Sequence, residues 1–420
     1  MRRMKFAHIA DTHIGAHREP VLAQLEAEAF GIAIDRCIQE KVDFIIISGD
    51  LFQSGIPDLA AVDDAVKKMH AVREAGIPIY VIYGSHDYNP NGKSIIDILD
   101  STGLIKKVVK GEIVDGKLEL EFFTDSKTGA KLVGISARKA GLESRYYEIL
   151  DREALEKEQG FKIFVFHSGL DEFKPKHLAQ MESIPVSCLP RDFQYYAGGH
   201  IHEKSEHALP HYGPIVFPGT LFAGSPRDFE ASAKGTQRGF YIVQFNKKIE
   251  KTEFVPVKVC ECVYHEYDVS NKNSVQAQHE LQKSLKELDV KDKFALIKVF
   301  GELAGGKTSD LKFAELKKML SEKGAIHIDI NRFGLVSKEY ANMKVAGEGI
   351  GEIEDRLFKE NIGTVKLSNA DLKGDNGIKL AHELLKVVRQ EAKTGETKKD
   401  YNIRVAEYAV KTLKLTETME

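Results

Sequence analysis

The chain has 420 residues, with 60 Lys or Arg against 63 Asp or Glu, and its formal net charge is −3. Its 42% hydrophobic residues exclude a disordered chain, and its length predicts two or three domains. Four Cys residues without a Cys-x-x-Cys pair favour a reducing compartment, the cytoplasm, over a disulfide scaffold, and no window approaches the roughly 20 apolar residues of a membrane span.

In the first 105 residues, short apolar runs alternate with amphipathic stretches. We predict strands at residues 6–10, 44–48 and 77–83 and helices at 21–39 and 59–74. Strands joined by helical crossovers are parallel. Farther along, strands dominate, at residues 118–123, 131–135, 163–166, 195–197, 215–217 and 240–245. We therefore expect a second sheet packed on the first, in an α/β/β/α sandwich.

The pattern of predicted secondary structure changes twice more along the chain. Residues 1–255 form the first predicted domain, and residues 256–335 a small α+β accessory domain with strands at 263–269, 294–300 and 326–330 and helices at 275–288 and 311–320. Residues 336–420 form a helical tail. Its two apolar stripes, at residues 378–388 and 403–413, flank a polar linker at 391–400.

Five predicted strands end in Asp or His. The residues are Asp11 and His13, Asp50, His86 and Asp87, His167, and His200 and His202. Ligand sites of open α/β sheets form beyond the carboxyl ends of the strands. Mixed carboxylate and imidazole donors suit Mn²⁺, Fe²⁺, Zn²⁺ or Ni²⁺ better than Ca²⁺ or Mg²⁺. There are more candidate ligands than one ion needs, so we expect two divalent ions about 3.5–4 Å apart, with the Asp50 carboxylate bridging them.

These motifs resemble the calcineurin-like metallophosphoesterase superfamily. The matching pattern is Asp11-x-His13, Gly49-Asp50, Gly84-x-His86-Asp87, His167 and Gly199-His200-x-His202. Within that superfamily, FAHIADTHIG at residues 6–15, SGDLF at 48–52, PG at 218–219 and GFYIV at 239–243 are similar to the double-strand-break repair nucleases of the SbcD and meiotic-recombination-eleven type. The resemblance implies a four-layer sandwich, a small capping domain and a helical C-terminal tail.

The resemblance also implies roles for the matching residues. Asp11, His13, Asp50 and His202 would hold one ion, and Asp50, Ser85, His167 and His200 the other, with Mn²⁺ as the expected metal. His86 would be the catalytic histidine, supported by Asp87. Ser85 stands where the family pattern has Asn, and Gln53 where many such nucleases have a second histidine. Candidate DNA contacts are His17, Arg18, Gln53 and Tyr88.

We therefore expect a DNA nuclease of double-strand break repair, with 3′-to-5′ exonuclease and single-strand endonuclease activity on double-strand ends and single strands. Two alternatives stay open: a phosphoesterase for small substrates, and a DNA-bridging scaffold whose metal site is weakened at Ser85. The accessory domain and tail argue against the first, and the retained His86 argues against the second. The family further implies a homodimer and an SMC-like coiled-coil ATPase that binds the tail.

Overall fold

The computed structural model describes residues 3–89, 92–138, 141–338, 354–355, 357–359, 362, 372–390 and 398–413. The chain divides into two compact units. The first comprises Met1–Tyr267, Leu285–Lys298 and Ala314–Asn331, and the second comprises Asp268–Ser284, Val299–Phe313 and Arg332–Glu420. The domain limits expected after residues 255 and 335 stay a prediction.

The strands and helices of the described residues are numbered in chain order. The strands are β1 (Met4–Ile9), β2 (Phe44–Ile47), β3 (Ile79–Val81), β4 (Lys106–Lys107), β5 (Gly111–Val114), β6 (Lys117–Leu120), β7 (Phe123–Thr124), β8 (Lys131–Ile135), β9 (Lys162–His167), β10 (Gly169–Leu170), β11 (Ser183–Ile184), β12 (Tyr195–Gly199), β13 (Ser205–Leu209), β14 (Tyr212–Phe217), β15 (Gly239–Phe245), β16 (Ile249–Pro256), β17 (Glu261–Asp268), β18 (Lys293–Leu303), β19 (His327–Asn331) and β20 (Leu335–Ser337). The helices are α1 (Pro20–Gln39), α2 (Leu59–Glu74), α3 (Ile95–Ser101), α4 (Ser144–Glu148), α5 (Arg152–Lys157), α6 (Pro226–Ala233), α7 (Ser274–Glu287), α8 (Phe313–Glu322), α9 (Gly374–Val388) and α10 (Lys398–Thr412). Short 3-10 helices cover Lys176–Leu178, Val186–Cys188 and Thr308–Asp310.

The first six-stranded sheet has the order β16-β15-β1-β2-β3-β4. Strands β1 to β4 are parallel, which confirms the predicted pairing, while β15 and β16 add in antiparallel fashion. Ile9 pairs with Ile47, and Ile47 with Val81. The loops after these three residues therefore leave the sheet at the same edge.

The second six-stranded sheet has the order β13-β14-β12-β9-β8-β7. Its four inner strands are parallel, and the two edge strands are antiparallel to their neighbours. Gly199 pairs with His167, so the carboxyl ends of β12 and β9 are level with each other.

Three buried clusters hold the layers together, and β2 shows how. Phe44 and Ile46 pack with Val165 of β9 between the sheets, whereas Ile45 and Ile47 face the side chains of α1 and α2. This alternation is expected of a strand that is buried on both faces. The outer face of the second sheet is covered by residues of α4 and α5. The four layers are α/β/β/α, as predicted.

A fourth cluster of the first unit lies around α6. Phe229 stacks on Phe294 of β18, with ring centroids 4.6 Å apart, and Leu25 of α1 packs beside them. Glu230 pairs with Lys298 at 3.1 Å. The first residues of β18 are thereby packed against α6.

In the second unit, β20 pairs in parallel with residues 301–303 of β18, and α9 packs against α10.

Of the predicted linker at 391–400, residues 391–397 lie outside the described residues. Helix α10 begins at Lys398 and includes the last three residues of that linker, because residues 398–400 contain no helix breaker. None of the described helices has the length and apolar character needed to span a membrane.

Candidate metal centre

The predicted ligands lie at one edge of the two sheets. Asp11 and His13 follow β1, Asp50 follows β2, Ser85 and His86 follow β3, His167 ends β9, and His200 and His202 follow β12. The seven Asp and His residues of this set form three overlapping groups, and the ligand atoms of each group lie within 4.8 Å of one another. Sequence reasoning from strand ends therefore identified side chains that the fold brings together.

The first group consists of Asp11, His13 and His202. Nε2 of His13 lies 3.1 Å from Nε2 of His202. Nδ1 of His13 faces Oε1 of Gln53 at 2.9 Å, and Nδ1 of His202 faces Oδ2 of Asp228 at 3.0 Å. Both oxygens accept hydrogen bonds, so each Nδ1 donates a proton, and in the neutral ring each Nε2 presents a lone pair. Two lone pairs facing each other at this distance are stabilised by a cation between them.

Asp50 belongs to both remaining groups, with His13 and His86 in one and with His167 and His200 in the other. Its Oδ2 lies 3.2 Å from Nε2 of His167 and 3.7 Å from Nε2 of His13. Its Oδ1 accepts the backbone N–H of His86 at 2.8 Å. A carboxylate with an imidazole nitrogen on either side has the arrangement expected of a bridging ligand.

His167 is oriented by the neighbouring sheet. Its Nδ1 donates to the carbonyl of Ser48 at 2.8 Å, and the Ser48 hydroxyl in turn contacts the Gly198 carbonyl at 3.1 Å and Nε2 of His8 at 2.9 Å. Nε2 of His167 is buried and has no hydrogen-bond partner among the described residues. A buried imidazole nitrogen beside a carboxylate marks a position for a cation, either a proton on the ring or a metal ion in its place.

The backbone at this edge is strained. Asp11, His13, Asp50 and His200 have φ angles of +50°, +47°, +49° and +88°. Such conformations cost about 1–3 kcal/mol each in residues other than glycine and are concentrated at functional sites. The N–H of Asp11 donates to the Gly49 carbonyl at 3.2 Å and that of His13 to the Asp50 carbonyl at 2.9 Å. These bonds hold the two ligand loops side by side.

Burial and charge set the protonation states. Burial raises the pKa of Asp11 to about 7 and lowers those of His13 and His200 to about 4 and about 3. Burial opposes the charged forms of Asp50 and His167 as well, but each stabilises the other. The pKa of Asp50 is held well below its usual range, and that of His167 is raised to about 10. The proton on His167 occupies the position where a metal ion would offset the Asp50 charge.

Ser85 lies in the turn between Gly84 and His86. A Cβ on Gly84 would overlap the Asp50 carboxylate, and the His86 N–H donates to the same carboxylate, so the backbone on both sides of Ser85 packs on Asp50. The Ser85 side chain is half-buried. Its position is compatible with the ligand role that the resemblance implies, and that role stays a prediction.

Asp87 and the Gln53 backbone fix the loop that carries His86. The buried Asp87 carboxylate accepts three backbone N–H groups, those of Leu51 at 3.1 Å, Phe52 at 2.9 Å and Gly84 at 3.0 Å. Burial raises the pKa of Asp87 to about 7, and the charge of Asp50 acts in the same direction. Nδ1 of His86 donates to the Gln53 carbonyl at 3.0 Å. Asp87 thus supports the loop, and Gln53 orients the ring.

Sequence reasoning missed Asp228 and Arg238, which surround His202. The Asp228 carboxylate accepts from Nδ1 of His202 and, at 2.7 Å, from the hydroxyl of Ser225, the N-cap of α6. Arg238 donates to the carbonyls of His202 at 2.7 Å and of Asp228 at 2.9 Å. Burial opposes ionisation of Asp228, but the His202 bond lowers its pKa to about 2. The capping pattern at 225–228 was the available signal, and it indicated only a helix start.

The candidate DNA contacts occupy different environments. Nε2 of His17 donates to the Ala223 carbonyl at 2.8 Å, so its ring is held against the protein. Arg18 is exposed. His17, Arg18 and Gln53 line a cleft of about 1050 Å³ that also contains residues of α1 and α2. Tyr88 is half-buried, two residues after His86.

The sequence was compared with known proteins. A family model described as calcineurin-like phosphoesterase matches residues 4–204, a range that includes every predicted metal ligand. The chain is 30% identical over 297 residues to a DNA double-strand break repair protein Mre11 of Methanococcus maripaludis, covering 68% of this chain and 73% of that protein. A protein of the same description from Archaeoglobus fulgidus is 26% identical over 283 residues, covering 63% of this chain and 61% of that protein. One from Methanopyrus kandleri is 23% identical over 403 residues, covering 92% of this chain and 83% of that protein.

Proposed function

The chain belongs to the Mre11 family of DNA double-strand break repair proteins, among the calcineurin-like phosphoesterases, and on that premise we propose that it is a two-metal nuclease that hydrolyses DNA phosphodiester bonds. The observation that carries the proposal is the convergence of imidazole Nε2 atoms on Asp50 and on one another, while the Nδ1 atom of each ring is hydrogen-bonded to an oxygen. His13 and His202 supply one such pair, and His167 supplies a third nitrogen. A site built only for packing would not bring three imidazole nitrogens and a buried carboxylate this close together.

The residues divide between two ions as the resemblance implies. One ion would be held by Asp11, His13, Asp50 and His202, and the other by Asp50, Ser85, His167 and His200. When bound, such ions lower the pKa of a coordinated water and neutralise charge on a phosphodiester. Mixed oxygen and nitrogen donors favour Mn²⁺ over Mg²⁺ and Ca²⁺.

His86 supplies the protein's own acid. Its Nδ1–H is held by the Gln53 carbonyl, which leaves Nε2 for the substrate. In the protonated ring, Nε2–H donates to the leaving 3′ oxygen, where negative charge develops as the bond breaks. Asp87 keeps the His86 loop in register with the Asp50 loop, so acid and metal ligands approach the same phosphate.

The test uses the full chain, Mn²⁺, duplex and single-stranded DNA labelled at the 5′ or 3′ end, and a chromogenic phosphodiester, with His86→Ala as control. We expect 3′-to-5′ shortening of the duplex and endonucleolytic cuts in the single strand, both lost in the variant. Turnover of the chromogenic ester without DNA cleavage would indicate a small-molecule phosphoesterase. DNA binding without either reaction would indicate a scaffold. Either outcome would overturn the proposal.

We propose that the helical tail binds the coiled coil of an SMC-like ATPase. Helices α9 and α10 pack together and leave Val388, Ile403, Tyr408 and Val410 exposed. Exposed apolar side chains on paired helices favour docking on a partner. Co-expression with the ATPase should give a complex that is lost on deletion after residue 345 and on Ile403→Glu with Tyr408→Glu, whereas metal titration of these variants should be unchanged. A deletion variant that still co-purifies would contradict this assignment.

The proposed homodimer would use the region where α2 and α3 begin. Ile56, Leu59 and Ile98 are exposed there, and the N–H of Ile95 donates to the Gly55 carbonyl at 2.9 Å, which places the two helix starts next to each other. Sedimentation should show a dimer for the native chain and a monomer for Leu59→Glu. A native chain that sediments as a monomer at all concentrations would refute it.

A further inference from the structure

The Arg138 guanidinium lies over the rings of two tyrosines. Its guanidinium carbon lies 4.5 Å from the ring centroid of Tyr88 and 5.7 Å from that of Tyr146. Its backbone N–H donates to Oε2 of the buried Glu143 at 2.8 Å. Both the main chain and the side chain of Arg138 are therefore held in place.

Arg138 lies at the edge where the metal ligands collect. Strand β8 ends at Ile135, and the next residues bond to the segment that leaves β3. The Ser136 hydroxyl accepts the N–H of Tyr83 at 3.0 Å, and the N–H of Ala137 donates to the Tyr83 carbonyl at 3.0 Å. His86 follows Tyr83 by three residues, and Tyr88 follows His86 by two. The stacked arginine is thus connected directly to the loop of the catalytic candidate.

The guanidinium has unused binding capacity. No carboxylate of the described residues forms an ion pair with Arg138, although ion pairs are frequent elsewhere on this chain. A guanidinium that stacks through its flat faces keeps its in-plane N–H groups free, and these match two oxygens of one phosphate. Because the two rings restrict its rotation, little further side-chain entropy is lost when it binds.

We propose that Arg138 binds a backbone phosphate of the DNA strand beside the phosphodiester that is cleaved. The inference rests on the proposed nuclease function. The ligand class is a phosphodiester oxygen pair, which carries no base information, so the contact fixes the position of the strand and is the same for every sequence. The rings of Tyr88 and Tyr146 restrict the orientation of the guanidinium, and Tyr88 also connects it to the His86 loop.

The test measures DNA affinity against salt concentration. Full-length protein carrying His86→Ala, which leaves the DNA intact, is titrated into fluorescent duplex at several salt concentrations, alone and combined with Arg138→Gln, Arg138→Lys or Arg191→Ala. Arg191 is the matched control because it is exposed, precedes β12 at the opposite edge of the sheet, and also has its backbone N–H bonded to a glutamate.

We expect Arg138→Gln to raise the Kd for DNA roughly tenfold and to reduce the slope of log Kd against log salt by about 1, the signature of one lost phosphate contact. Arg138→Lys should keep the slope but weaken binding, because it keeps the charge and loses the planar fork. Arg191→Ala should leave both quantities unchanged.

Two results would overturn the inference. One is an Arg138→Gln variant whose Kd and slope equal those of Arg191→Ala. The other is a Kd change without a slope change and with a lower melting temperature, which would show that Arg138 only supports the fold. Failure of the native chain to bind or cleave DNA would instead refute the proposed function. If Arg138→Gln does not fold, Tyr146→Ala, which keeps the charge and removes one of the two rings beside the guanidinium, must still raise the Kd, and an unchanged Kd in that variant would overturn the inference.

Discussion

Replacing Gln53 with Ala isolates one hydrogen bond of the metal centre. The Gln53 side chain accepts from Nδ1 of His13, whereas its backbone carbonyl accepts from His86. Alanine removes the first bond and keeps the second. The native bond fixes the His13 tautomer that directs a lone pair at the metal position, so its loss acts on metal binding and leaves the His86 ring oriented.

The size of the effect follows from burial. His13 is 5% exposed, so an Nδ1–H without an acceptor loses its hydrogen bond and gains no water. Leaving such a donor unpaired costs about 1–3 kcal/mol. The ring can escape this cost by moving the proton to Nε2, where it donates to His202, but it then cannot bind a metal. Either way, metal affinity should fall roughly 10- to 100-fold, the range seen when outer-shell partners of a ligating histidine are lost.

The assay is isothermal titration of Mn²⁺ into the metal-free full chain. We expect two binding events in the native protein and selective weakening of one of them in Gln53→Ala, because the lost hydrogen bond is to His13, which belongs to only one of the two proposed ligand sets. Gln53→Glu keeps the acceptor and should bind at least as tightly as the native chain. Gln159→Ala, at an exposed glutamine whose side chain donates to the Lys157 carbonyl at 3.0 Å, is the control. Equal titrations for Gln53→Ala and Gln159→Ala would refute the reasoning.

Three further predictions concern single side chains around the centre. Ser85→Asn should tighten the second Mn²⁺ event, by roughly tenfold, and speed DNA cleavage, because an amide oxygen reaches farther and is a better donor than a hydroxyl. Asp228→Asn should weaken Mn²⁺ binding, by about tenfold in the same titration, because the charge that supports the His202 ring is lost. Burial raises the pKa of Glu26 from 4.5 to about 7, so this carboxyl loses its proton at a lower pH in the unfolded chain than in the folded protein. The free energy of unfolding should therefore fall, by roughly 3 kcal/mol at most, as pH rises from about 4.5 to about 7. Urea denaturation across that range should show a smaller fall for Glu26→Gln.

Each of these has a contrary result. Metal titration and cleavage curves for Ser85→Asn that overlay the native curves would remove any role for position 85 in the second site. Asp228→Asn with native affinity would mean that shape alone positions His202. Parallel stability curves for the native chain and Glu26→Gln would mean that Glu26 is solvated in the folded state.

The main strands and helices could be predicted because their residues are buried in regular patterns. Phe44–Ile47 is apolar throughout because both faces of β2 are covered, and α2 has the predicted limits because Asp58 caps its start and Gly76 follows its end. The predicted strand at residues 118–123 overlaps β6, but β5 and the hairpin turn that joins it to β6 were missed although their signal was present. Asp115 and Gly116 form this two-residue turn with φ angles of +50° and +80°, which Asp-Gly pairs adopt readily.

The metal ligands could be predicted and their supports could not. The ligands stand at strand ends, where the order of the strands along the chain determines which edge they share. Gln53 and Asp228 reach His13 and His202 across 40 and 26 residues, and no local periodicity encodes the direction of their side chains. Gln53 was therefore predicted to face DNA, whereas its side chain bonds to a candidate ligand.

The carbonyl of Ser48 in the first sheet accepts a hydrogen bond from His167 in the second. The candidate metal ligands also come from both sheets. Asp11, His13 and Asp50 come from the first sheet, and the histidines at 167, 200 and 202 come from the second. Any ion bound between them would cross-link the two β-layers. Metal occupancy would then add to thermal stability as a bound ligand does, by about 2.7 kcal/mol at a free concentration of 100 times the Kd. For this chain, a chelator should act as a mild denaturant whose effect starts at the edge of the sandwich that carries the chemistry.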